Sequence, residues 1–204
     1  MNKSEPWIDD ADKKNFSGLS AKEINSALNY REMIDADYGK RINSRYIVSH
    51  GWDVLLLPHD NSDCGDAIFI PLFEKMATEY QGFLYALPAL SEKSETTLIP
   101  LELELYDPPL VARISCNYDG FTSARRGLVN IFSNAFYLFA ESREFFMLNV
   151  EGRYSMLAAP PIFLNKIFPQ PPKDTWTTAV NGKYFQDQDI AILLVAMNSL
   201  GYGD

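Results

Sequence analysis

The chain lacks most of the features that would announce a chemistry. Its 204 residues include two cysteines and two histidines. Cys64 and Cys116 stand far apart with no CxxC spacing, which excludes a disulfide-stapled mini-protein and a paired zinc-finger framework. No apolar run reaches the roughly eighteen residues a transmembrane helix needs. Residues Met1 to Asp12 carry Lys3, Glu5, Asp9, Asp10 and Asp12 with no apolar stretch, so no signal peptide is expected. Those features predict a cytoplasmic protein with reduced thiols and no membrane partner. GxSxG, HExxH, P-loop and GxGxxG motifs are all missing, as are repeats and low-complexity tracts. Positive charge is also short. Lys plus Arg is 18 against 27 for Asp plus Glu, a net charge of −9. That balance excludes a nucleic-acid binder that works by neutralising phosphates.

The chain does carry a 47% hydrophobic composition, which excludes disorder, and aromatic residues at 13%. Its negative charge is one-sided. Residues 1–110 hold nineteen acids and ten bases, whereas residues 111–204 hold eight of each. An uneven acidic field favours a basic partner by steering, and it also keeps a protein soluble.

Ser20 and Glu23 match a capping box, and Ile24, Ala27, Leu28, Ile34 and Tyr38 follow on one helical face. This predicts a helix to about Lys40, or through Tyr46, Ile47 and Val48 until Gly51 stops it. Trp52 to Leu57, closed by Pro58, reads as a buried strand, and His59 to Asp66 (HDNSDCGD) as a polar loop. Pro71 fits the first turn of a helix reaching about Gln81, with a strand at Phe83 to Leu87. Leu101, Leu103 and Leu105 alternate with Glu102 and Glu104, predicting a strand over 98–106 with leucines inward and carboxylates outward. Asp107-Pro108-Pro109 turns the chain into a returning strand at 110–115. Asn117 to Gly120 reads as a turn before a helix from about Ser123 to Ser133. Strands are expected at 136–139, 144–150 and 153–158, then a short helix at 162–168 and a proline-rich loop at 169–173. Asp187 or Asp189 caps a last helix that Gly201 ends. The fold class is therefore α+β: one domain over 20–204, mainly antiparallel sheet packed against several helices, after an irregular lead-in over 1–19.

Four candidate chemistries arise, each with a rival structural reading. The first is acid/base work by Glu102 and Glu104, two apart on one strand face, which a plain solvent-facing polar stripe explains as well. The HDNSDCGD loop gathers His59, Asp60, Asp63, Cys64 and Asp66, a set of metal-ligand types without zinc-finger or EF-hand spacing; Asx turns explain it as well. Cys64 as a nucleophile with His59 or His50 as base needs a thiolate, which the neighbouring aspartates oppose. Cys116 follows an apolar strand and reads as an inert thiol. Asp119 to Gly127, with Thr122, Ser123, Arg125 and Arg126, suits an anion at a helix start or simply an N-cap by Thr122 or Ser123.

Acidic chains that bear no reaction motif resemble immunity proteins and enzyme inhibitors in physical type. The expected function is a non-enzymatic interaction module that neutralises a basic protein partner through Glu102, Glu104 and Asp107, with Asp60, Asp63 and Asp66 as a second patch. No catalytic residue, metal or cofactor is assigned. The competing expectation is a metal- or thiol-dependent hydrolase with its site near His59 and Cys64.

Overall fold

The computed structural model describes residues 30, 33, 42–59, 65–89, 111–129, 135–150, 152–182 and 184–203. In chain order the elements are α1 (Ser44–Ser49), β1 (Asp53–Pro58), α2 (Gly65–Glu79), β2 (Phe83–Pro88), β3 (Ala112–Ser115), α3 (Tyr118–Val129), β4 (Ala135–Ala140), β5 (Phe146–Val150), β6 (Tyr154–Ala159), α4 (Pro161–Ile167), α5 (Pro172–Asn181) and α6 (Asp187–Ser199). The strands form one antiparallel sheet in the order β1-β6-β5-β4-β2-β3. The architecture is α+β, as the alternation of apolar runs and turn residues predicts.

Both faces of this sheet are apolar because successive side chains point opposite ways and nearly every position is hydrophobic. Strands β4, β5 and β6 are buried at every residue. Val54, Leu56, Tyr85, Tyr137, Phe146 and Met156 face one layer, where Ile47, Trp176, Leu193 and Tyr202 cover them. Leu55, Leu57, Leu84, Phe136, Leu138 and Leu157 face the other, under Phe69 and Phe73 of α2, Phe121 of α3 and Leu164 of α4. Each large apolar side chain buried this way contributes about 1.5–3 kcal/mol.

Strand β1 lies at the sheet edge, and its outward backbone groups are covered by side chains. The Tyr202 hydroxyl accepts the Val54 N–H at 3.0 Å, and Trp176 Nε1 donates to the Val54 carbonyl at 2.8 Å. Thr175 Oγ1 accepts the Leu56 N–H at 3.1 Å. Pro58, two residues further on, has no N–H to leave open. The edge is thereby closed to pairing with another chain.

Several boundaries differ from the sequence reading, each for a local reason. Ser44–Ser49 is a separate helix, because the Asn43 side chain caps it by accepting the Tyr46 N–H; it exits at His50 and Gly51, where φ is +62°. Of the helix expected over 20–40, Tyr30 and Met33 are described, both buried, with the Tyr30 ring packed on Tyr85 of β2 and Phe139 of β4. Helix α2 begins at Gly65, so Pro71 sits at its seventh residue on the exposed side and not in the first turn. Helix α3 starts at Tyr118: Asn117 Oδ1 takes the Gly120 N–H at 2.8 Å, so the expected turn is the helix's first turn. Thr122 is therefore not a cap; its hydroxyl donates to the Asp119 carbonyl inside the helix. Helix α5 was not foreseen, although Pro171-Pro172 and Asp174 form a helix start with proline at N1 and an acid in the first turn. Helix α6 has Gln186 at its N-cap position, with Asp187 and Asp189 in the first turn. Among the described residues, no helix is long and apolar enough to cross a membrane. The lead-in over 1–19 and the strand expected over 98–106 lie outside the described residues.

Candidate functional site

A row of polar side chains crosses three adjacent strands on the face covered by α2, α3 and α4. His59 continues β1, its N–H donating to the Arg153 carbonyl at 2.9 Å. Its Nε2 lies 2.9 Å from Ser155 Oγ on β6, and Ser155 Oγ donates to Asn149 Oδ1 on β5 at 2.8 Å. Because the serine proton goes to Asn149, the imidazole must present Nε2–H to the serine oxygen. Ser155 and Asn149 are 0% and 1% exposed, and Asn149 Nδ2 is buried with no hydrogen-bond partner. The His59 ring meets the edge of Phe69, which stacks on Phe121. A hydroxyl so deeply buried, its proton held by an amide, has no access to a substrate in solution. The row acts as a polar floor that ties the exit of β1 to the middle of the sheet.

The antiparallel register fixes what shares this end of the sheet. Pro58 pairs with Tyr154, Val150 with Tyr154, Ala135 with Val150 and Pro88 with Phe136, while Ala112 opens β3 opposite Ala86. The exits of β1 and β2 and the entry to β3 therefore all lie at one end. Residues 60–64 connect His59 to Gly65, and residues 90–110 connect Ala89 to Val111, so both are attached at this end. With strands about 4.8 Å apart, β1 and β2 are four positions, or roughly 19 Å, from each other. Arg153, in the β5–β6 turn, adds an ion pair with Asp189 of α6, whose carboxylate is 4% exposed. That carboxylate sits in the first turn of α6, where the helix dipole favours negative charge.

Of the residues singled out in the sequence, Asp60, Asp63, Cys64, Glu102, Glu104 and Asp107 lie outside the described residues, and Asp66 falls in the first turn of α2. His59 is present and engaged with Ser155. Cys116 is buried, and desolvation pushes its thiol up to about 12, so it stays protonated at neutral pH. His50 is distant in the fold, at the end of α1, stacked on Tyr46 with its Nδ1 2.8 Å from the Tyr46 carbonyl oxygen. Among the described residues, no three His, Cys, Asp or Glu side chains gather as a metal site would require. Ser155, Asn149 and the Arg153–Asp189 pair were missed in the sequence. Their signal was a lone polar residue inside each of two buried strands, FMLNV and YSMLAA.

No family model matches the chain, and no curated protein or solved structure does either.

Proposed function

We propose that the chain is a protein-interaction module that docks a basic protein partner on the sheet end from which residues 60–64 and 90–110 leave. The observation that carries this reading is the meeting of topology with charge. Residues 60–64 hold two acids and no base, and residues 90–110 hold five acids and one base. Six of the nine net negative charges thus belong to two segments tied to one end of the sheet. The described residues are close to balance, with ten acids and nine bases, and several of those acids are paired within the chain. A span of roughly 19 Å between attachment points suits an interface of ordinary size, about 800 Å² per partner.

In this reading Glu102, Glu104 and Asp107, together with Asp60, Asp63 and Asp66, cover lysines and arginines of the partner and neutralise it, as an inhibitor or immunity-type protein does. The module works in the cytoplasm without a cofactor, and its field repels nucleic acid. Two carboxylate patches on one side raise the encounter rate by steering, an effect that salt screens. The test is capture from a lysate of the native host at about 50 mM and about 500 mM salt, with mass spectrometry, then association kinetics on the purified partner. A basic partner should bind wild type faster at low salt, and the combined substitutions D60K, D63K, E102K and E104K should slow association by about tenfold or more. An unchanged rate constant in that variant would sink the assignment.

A further inference from the structure

Helix α6 is apolar on two sides, and the fold uses one of them. Leu193 is fully buried, and Ala196, Met197 and Leu200 pack beside it against the layer that holds Tyr154 and Trp176. Asp189, also buried, is paired with Arg153. On the opposite side Ala191, Leu194, Val195 and Asn198 are exposed, Leu194 at 41% and Val195 at 57%. Spacings of three, one and three residues place these four on one stripe of the helix. A helix that is apolar all round is ordinarily covered all round. The stripe is also free of charge. Residues 190–203 contain no acid and no base, in a chain whose net charge is −9. Asp187, one turn before Ala191, is the nearest acid along that side.

Charge decides what can cover it. A basic protein finds nothing on the stripe to pair with, whereas a second copy, repelled elsewhere by its own surplus of acid, meets no charge here. The spacing also fits a two-fold axis. When two copies of α6 pack antiparallel about an axis between Leu194 and Val195, each contact occurs twice. Leu194 then faces Val195 of the second copy, and the small Ala191 faces its Asn198. Every stripe residue is matched by another stripe residue.

We propose that the outer stripe of α6 docks a second copy of this chain, two-fold and antiparallel, with Leu194 and Val195 at its centre. A helix of 13 residues is roughly 20 Å long, so the contact is smaller than a standard interface and the dimer is a weak, concentration-dependent one. It does not depend on the acidic docking reading. Screening by salt relieves repulsion between two acidic copies, whereas it weakens attraction to a basic partner.

Sedimentation equilibrium of the full chain from about 1 μM to about 1 mM is the test. The mass should rise toward that of a dimer, and further at about 500 mM salt than at about 50 mM. L194E and V195K each set like charges close together across the axis. Each should weaken self-association by about tenfold or more, although V195K lowers the net negative charge. Both side chains reach solvent in the single chain, so the melting temperature at the dilute end should stay at the wild-type value. Oxidation of a C64S chain reads the register. A191C combined with N198C should form a covalent dimer, and neither should alone, because equivalent residues then stand about 10 Å apart along the axis. A monomer across the whole range overturns the proposal and leaves the stripe to another occupant. So does a dimer that L194E and V195K leave intact, or one that salt weakens, since self-association would then lie at the charged surfaces. Cross-linking by a single cysteine variant and not by the pair overturns the antiparallel arrangement.

Discussion

The two ends of the sheet handle their carboxylates in opposite ways. At the β4–β5 turn, Glu141 is shared between Arg113 and the Tyr85 hydroxyl, and its backbone carbonyl receives Tyr30. That carboxylate is a structural joint. At the other end the strands give way to residues 60–64 and 90–110, which hold seven acids and one base. Asp189 is the exception there, because Arg153 and the first turn of α6 neutralise it. The difference separates two uses of one side chain. A carboxylate paired within the chain holds the fold together, and under the proposed function those of residues 60–64 and 90–110 meet the partner.

The comparison breaks most visibly at Asp189. Arg153→Ala leaves a carboxylate that is 4% exposed without its counter-ion, and the solvent-facing half of Arg153 softens the loss only in part. Denaturant unfolding should show a destabilisation of about 2–3 kcal/mol, below the full value for a buried pair because the α6 dipole still favours the charge. A loss near zero would mean that Asp189 does not depend on Arg153, and the distinction between joint and surplus would fail at this end.

A smaller effect belongs to the polar row under the same end. Ser155→Ala removes the oxygen that links His59 to Asn149, leaving the buried amide with neither of its atoms paired. The expected loss is about 1–2 kcal/mol, the cost of an unsatisfied buried group. Amide exchange at His59, whose N–H donates to Arg153, should quicken along with it. Stability at the wild-type level would show that the row is incidental and that β1 is held by its edge contacts alone.

Much of this architecture was legible in the sequence. The strands of the sheet's centre announced themselves as short apolar runs between turn residues, and β4, β5 and β6 fall within a residue or two of where the pattern puts them. What the pattern missed follows from rules it weighed wrongly. Pro71 was read as a helix start, yet it stands at the seventh residue of α2, where the ring forgoes the backbone hydrogen bond to Ala67 and the packing of Phe69, Leu72, Phe73 and Met76 carries the helix through. Asn117, not Thr122 or Ser123, caps α3, because an asparagine two residues after a strand can close a turn and open a helix at once. The residues of the polar row could not be joined by reading along the chain. His59 and Ser155 lie 96 positions apart, and only the β1–β6 pairing brings them together. That the attachment points of the two acidic segments share one end of the sheet was hidden for the same reason. Strand order is a three-dimensional fact, and the order β1-β6-β5-β4-β2-β3 places the first and second strands four positions apart with their exits level.

The least effect on stability should come from the residues with the greatest proposed role. Reversing Glu102, Glu104, Asp60 and Asp63 to lysine removes like-charge repulsion from a chain of net charge −9, and these acids belong to the surplus that the described ion pairs do not absorb. In the proposed docking role these acids have no partner within the chain, and surface charges of that kind change stability by about 0.5 kcal/mol or less in either direction. The melting temperature should therefore stay near the wild-type value, with any shift upward at low salt and vanishing at high salt as screening removes the repulsion. A clear drop in stability would place these carboxylates among the joints, like Glu141 and Asp189. It would also mean that a slower association in the same variant reflects a damaged fold and not a lost docking surface.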